Sequence, residues 1–154
     1  MSEFKFPTEV IDLPSKGLLY PKDSPLASGK LEMKYMTAKE EDILTNQNYL
    51  QRGIVIDKLL QSLIVSDIDY TQLVTGDQNA VMIAARILGY GKDYEFTFKG
   101  EKQVIDLTTL EDKPFDESLI TPNVNEFKFT LPYSKTDITF KILTVGDDEK
   151  IRQE

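Results

Sequence analysis

The spacing of apolar residues changes several times along the chain, and each change marks an element. Val10, Ile11 and Leu13 form a short apolar run that predicts a strand over 9–13, stopped by Pro14. Lys16-Gly17 then permits a turn, with Gly17 free to take positive φ, and the Pro, Asp, Ser and Gly of 21–29 read as a loop. Over 30–36 Leu31, Met33 and Tyr35 alternate with Glu32 and Lys34, the pattern of a half-buried strand. Thr37 and Glu40 have the spacing of a capping box, and Glu40, Glu41 and Asp42 place acids at the positive end of the helix that follows. Gly53 separates that helix from a second, whose stripe is Ile56, Leu59, Leu60, Leu63 and Ile64. Ser66-Asp67-Ile68-Asp69 ends it. Thr75 opens a third helix with an apolar face of Ala80, Ile83, Ala84, Ile87 and Leu88, closed by Gly89-Tyr90-Gly91.

Beyond Gly91 the period becomes two. Tyr94, Phe96 and Phe98 alternate with Glu95, Thr97 and Lys99, Gly100-Glu101 supplies a turn, and 103–107 returns as a hairpin partner. A polar connector spans 111–125, followed by alternating stretches at Phe127, Phe129, Leu131 and at Ile138, Phe140, Ile142. The pattern predicts an α+β fold of mixed, mostly antiparallel strands with a central group of three helices and a small β-rich C-terminal part. In linear order it divides into 1–91, an α+β domain; 92–143, a β-rich hairpin subdomain; and 144–154, the start of a C-terminal helix.

One segment echoes another. Leu31-Glu-Met-Lys-Tyr-Met-Thr-Ala-Lys-Glu-Glu-Asp lies over Ile138-Thr-Phe-Lys-Ile-Leu-Thr-Val-Gly-Asp-Asp-Glu, so that Thr37 and Thr144 each end a strand and precede an acidic turn. Either a repeated unit or two independent strand-Thr-helix junctions accounts for this. The helix at Thr144 barely begins before Glu154, which reads as the front part of a longer protein.

Composition narrows the function. A net charge of −8 with no Lys/Arg cluster opposes a phosphate backbone, so nucleic acid is not an expected partner. No cysteine and no histidine are present, which removes disulfides, thiolate chemistry, the usual zinc ligands and the side chain best suited to proton transfer near neutrality. No stretch approaches the ~20 apolar residues of a membrane span, and Met-Ser-Glu-Phe-Lys-Phe lacks the apolar core of a signal peptide. Carboxylates cluster at Glu40-Glu41-Asp42, at Asp67 and Asp69, and at Asp147-Asp148-Glu149. A pair such as Asp67 and Asp69 could hydrolyse a glycoside, but two of the clusters lie in first turns of helices, where capping explains them. Asp67-Ile68-Asp69 lacks the rest of a calcium loop, and Pro14-Ser15-Lys16-Gly17 lacks the glycine spacing of a phosphate loop. No metal, cofactor or catalytic residue is assigned, and the chain reads as a non-enzyme. Contact with other proteins is the stronger expectation: Phe4, Phe6, Leu18, Leu19 and Tyr20 sit in irregular segments, and the hairpins offer sheet edges.

The run Val10-Ile-Asp-Leu-Pro-Ser-Lys-Gly-Leu-Leu-Tyr-Pro21, followed from Leu31 by the strand and capped acidic helix through Asn48, resembles the baseplate protein family of contractile-tailed bacteriophages, especially the baseplate hub proteins of the T-even phages. The resemblance is densest over 9–50. It implies a non-enzymatic role in baseplate hub assembly, as a structural subunit or an assembly chaperone, with other hub proteins as partners and self-association in addition. The setting it implies is the host bacterial cytoplasm during assembly and the virion tail baseplate. A cell-wall-degrading tail enzyme using paired carboxylates is the alternative. Many relatives carry a zinc ribbon where this chain has 96–107, which holds no cysteine, so zinc is not carried over. Asp12, Pro14, Ser15, Lys16, Gly17, Tyr20 and Pro21 match the family opening and are the candidate partner-binding residues.

Overall fold

A computed structural model describes residues 7–153. Phe4 and Phe6 lie outside the described residues. Among these, six strands, five α-helices and several single 3-10 turns give the expected α+β fold. The strands pair only two by two, in three separate antiparallel sheets. The chain groups into two compact units, each drawn from discontinuous stretches. One holds residues up to Ile11, Leu31–Ser66 and Ala80–Lys113; the other holds Asp12–Lys30, Asp67–Asn79 and the chain from Pro114.

In the first unit β1 (Thr8–Asp12) pairs with β2 (Lys30–Lys34). Helices α1 (Ala38–Thr45), α2 (Gln47–Gln51) and α3 (Val55–Leu63) follow in quick succession. Asn46 separates the first two by capping α2: its side chain accepts from the amides of Asn48 and Tyr49. Gly53, at φ 67°, makes the next break. The chain leaving α3 returns beside β2, with Met33 bridged to Ile64 and the Val65 amide donating to the Glu32 carbonyl at 2.9 Å. The core is Leu31 and Met33 of β2 with Leu59, Leu60 and Leu63 of α3, so three of the five stripe positions are buried as expected and Ile56 is exposed.

Helix α4 (Thr75–Tyr90) starts where Thr75 predicts, but its buried face is differently phased. Val81 and Ala85 are buried, whereas Ile83 is exposed and Ala80, Ala84, Ile87 and Leu88 are partly so. The reason lies in the segment itself. Val81, Met82, Ile83, Ala84 and Ala85 are apolar in succession, so periodicity does not single out a face. After α4, β3 (Asp93–Phe98) and β4 (Glu101–Asp106) form the expected hairpin. Its turn is Lys99-Gly100 rather than Gly100-Glu101: both residues have positive φ, 51° and 83°, the geometry that matches strand twist in a two-residue loop.

In the second unit Leu73–Thr75 lies antiparallel to Leu143–Val145. The Thr75 amide donates to the Leu143 carbonyl at 3.0 Å and the Val145 amide to the Leu73 carbonyl at 2.8 Å. β5 (Phe127–Thr130) and β6 (Asp137–Phe140) form a hairpin whose Phe127 and Phe140 rings stack at 5.4 Å, and α5 (Val145–Gln153) follows. Leu13, Tyr20, Leu26, Tyr70, Leu73, Val74 and Val145 are its buried apolar residues.

The echoed segments share a local geometry. In the first unit the Glu40 carboxylate accepts from the Thr37 amide at 3.0 Å, from the Thr37 hydroxyl and from Lys34 Nζ at 2.8 Å. In the second the Asp147 carboxylate accepts from the Thr144 amide at 3.1 Å, from its hydroxyl at 2.9 Å and from Lys141 Nζ at 2.7 Å. Lysine, threonine and acid are three residues apart in both. The lysine closes the box from the strand side, a contact the sequence reading did not include. Only the first box is fully buried at its acid: Glu40 has no exposed surface and also accepts from Ser62 of α3 at 2.6 Å, which ties α1 to α3. Burial would raise its pKa, but the bonds from Lys34, Ser62 and Thr37 outweigh it and hold the carboxyl at about 2.

A carboxyl depressed from 4.5 to about 2 contributes stability that is present above the higher value and lost as pH falls through the lower. Urea midpoints measured across that range should therefore fall steeply in the wild type and more gently in Glu40→Gln. Glu40→Ala, which removes the buried acceptor shared by Thr37, Lys34 and Ser62, should cost about 3 kcal/mol at neutral pH.

Candidate protein-interaction site

The segment Leu13–Pro21 is a chain of tight turns. The Lys16 amide donates to the Leu13 carbonyl at 2.9 Å, the Leu18 amide to Ser15 at 3.0 Å and the Tyr20 amide to Gly17 at 3.3 Å. Lys16 and Gly17 both have positive φ, 53° and 77°. A Cβ on Gly17 would stand 2.3 Å from the Ala27 carbonyl oxygen, so glycine is required here by backbone approach as well as by φ.

Beneath the turn lies a buried polar cluster. Asp77, in the first turn of α4 and without exposed surface, accepts from the Ser15 amide at 2.9 Å, the Ser15 hydroxyl at 2.6 Å and the Tyr20 phenol. The Tyr20 oxygen in turn accepts from the Val74 amide at 3.1 Å. Burial, the Asp77 charge and the bond to Asp77 together push the Tyr20 phenol well above its ordinary 10.0. No buried side-chain polar atom is left without a partner among the described residues. Asp77 therefore binds the turn to the start of α4.

The seven candidate partner-binding residues separate into two groups. Ser15, Gly17 and Tyr20 are buried and build the turn; Asp12, Lys16 and Pro21 are exposed, with Pro14 half-buried. Lys16 points away from the cluster, pairs with Glu117 and stands 5.7 Å from the centre of the Phe115 ring. Both members of the ion pair are largely exposed, so it adds at most about 1 kcal/mol and leaves the ammonium accessible.

The connector 111–125, which the sequence presents as polar, also packs here. The Asn123 amide donates to the Leu18 carbonyl at 2.8 Å and its side chain to the Tyr20 carbonyl at 3.0 Å. Between connector and turn is a cavity of about 400 Å³ whose wall is almost wholly apolar, formed by Pro14, Leu19, Phe115, Leu119, Ile120 and Ile142 among others. Among the described residues its ionisable wall residues are Asp77, whose donors are described above, and Asp116. Leu119 stands at the rim with 73% of its surface exposed. Phe115, Leu119 and Ile120 were the available signal, three large apolar residues in a segment that forms no strand or helix longer than one turn.

Of the carboxylates considered for catalysis, Glu40, Asp69 and Asp147 are engaged otherwise. Asp69 accepts from the Thr71 amide at 3.0 Å and the Thr71 hydroxyl at 2.7 Å, bonds that lower its pKa. Asp106 with Thr108 and Asp116 with Ser118 repeat the arrangement, each opening a 3-10 turn. Carboxyls held ionised in this way serve as caps and are poorly suited to donate a proton. Asp67 is exposed. Among the described residues no group of three or more His, Cys, Asp or Glu side chains is placed to hold a metal ion, and no helix is long and apolar enough to cross a membrane. Set against protein-family models, curated proteins and solved structures, the chain matches none of them.

Asp77→Ala leaves a buried amide and two hydroxyls without their acceptor and should destabilise the protein by about 3 kcal/mol. Gly17→Ala should cost about 2–3 kcal/mol from backbone strain alone. Lys16→Ala should change stability by less than ~0.5 kcal/mol. Urea unfolding of the three variants checks the division between the built turn and its exposed tip.

Proposed function

We propose that this chain acts through protein–protein contact, without a chemical step of its own, in assembly of the baseplate hub of a contractile phage tail. The observation that carries the contact reading is the rigid turn with Lys16 at its tip and an apolar cavity beside it, rimmed by exposed Leu119. A small apolar pocket next to a fixed cation suits an apolar anchor side chain of a partner with an acidic neighbour. The phage setting rests on the resemblance of residues 9–50. Other hub components are the proposed partners, the host cytoplasm the site of assembly, and the tail baseplate the destination if the chain stays as a subunit.

Quantifying the polypeptide in purified tails and in hub intermediates from one infected-cell lysate tests this. Fixed stoichiometry in both makes it a structural subunit, and presence in intermediates alone makes it an assembly factor. Absence from both overturns the reading. Leu119→Asp should leave the thermal midpoint within a few degrees of wild type, because the residue is exposed, yet reduce recovery of hub intermediates several-fold.

A further inference from the structure

The β3–β4 hairpin is a two-stranded sheet with no third strand among the described residues, and neither of its faces is buried. Cross-strand register puts Tyr94, Phe96 and Phe98 on one face together with Ile105. Tyr94 is 45% exposed, Phe98 58% and Ile105 40%. An isolated pair of strands is marginal in water, and an open edge beside an aromatic face is a template for another strand.

Which backbone groups face the open edge of β3 follows from the ladder. The Leu107 amide donates to the Lys92 carbonyl at 2.8 Å. In an antiparallel pair bonding alternates, so Tyr94, Phe96 and Phe98 bond inward to β4 while Glu95 and Thr97 direct their amides and carbonyls outward. The Asp93 carbonyl also points outward, where Arg86 approaches it at 3.5 Å and covers that end of the edge.

We propose that β3 pairs antiparallel with β3 of a second copy of this chain, about a two-fold axis at Phe96. Each Glu95 then faces the second copy's Thr97 and the two exchange both backbone bonds, without using the Asp93 carbonyl. Tyr94 meets the second copy's Phe98, and Phe96 meets its counterpart, which joins both aromatic faces into one. Asp93 falls in register with the second copy's Lys99, whose exposed ammonium, 5.4 Å from the centre of its own Phe98 ring, turns across the strand end to meet the carboxylate, so the end charges are complementary. The other axes allowed by the bonding alternation are poorer: one at Glu95 opposes two carboxylates, and one at Thr97 leaves Asp93 and Tyr94 unpaired. On the edge of β4 the outward backbone groups are those of Lys102, Val104 and Asp106, and an axis at Val104 is poorer: it brings no aromatic residues together, the Asp106 carboxylate it would set against Lys102 is already held by Lys92 and Thr108, and the Asp106 carbonyl accepts from the Thr109 hydroxyl.

Sedimentation velocity over a range of protein concentrations tests the pairing. The wild type should show a concentration-dependent dimer. Asp93→Lys and Lys99→Asp should each weaken it roughly tenfold, because each reverses both symmetric contacts. The double reversal should restore it. Both single variants are suited to the folded monomer: a lysine at 93 lies across from Asp106, and aspartate tolerates the positive φ at 99. Circular dichroism confirms that each is folded. A wild type that stays monomeric at every concentration, or a dimer indifferent to both single reversals, overturns the proposal.

Discussion

The buried carboxyl of Asp77 is the constraint on which the second unit depends. It lies four residues after Leu73, in the segment that pairs with Leu143–Val145, and it accepts from Ser15 and Tyr20 far away in sequence. Three donors converge on one side chain that water does not reach. In such a place a missing acceptor is costly, so the turn, the start of α4 and the strand-like pairing beside it stand or fall together. This explains why so irregular a segment as Pro14–Pro21 is fixed. It also decides what the turn can offer: Ser15 and Tyr20 are consumed in holding it, and Lys16 is what remains outside.

Acidic residues play the same part on a smaller scale elsewhere. Glu40 and Asp147 close capping boxes; Asp69, Asp106 and Asp116 open single turns; in all five the pKa is lowered, by hydrogen bonds that burial does not offset. The chain has many short elements, no disulfide and no histidine. Short elements have a high proportion of unsatisfied end amides, and a carboxylate is the strongest side-chain acceptor for them. The charge of −8 is therefore partly structural, and a catalytic reading of the acidic clusters has to compete with bonds already made.

Legibility in the sequence followed the locality of the signal. The strand, Thr-x-x-Glu and helix of 30–45 are specified within a few residues of one another, and so they were readable. The bond from Lys34 was not, since it depends on how β2 delivers its last side chain to α1. The phase of α4 was hidden by the unbroken apolar run 80–85, and the cavity by a connector whose polar composition concealed Phe115, Leu119 and Ile120. The Asx turns had a local signature, Asp-x-Ser/Thr, at 69, 106 and 116. Of the three only Asp69 enters a catalytic comparison, and what the shared signature specifies is a turn closed by the carboxylate.

The hairpins mark where a period-two pattern and burial part company. Alternation normally means that one face meets a core. In β3 the alternation is regular, yet Tyr94 and Phe98 remain exposed, as do Phe129 and Phe140 in the β5–β6 hairpin. Each unit has a small core and can cover only the strands adjacent to it. Aromatic residues on uncovered two-stranded sheets raise the free energy of the isolated chain in water. Association at those faces lowers it, and a chain with such faces gains its full burial only in company.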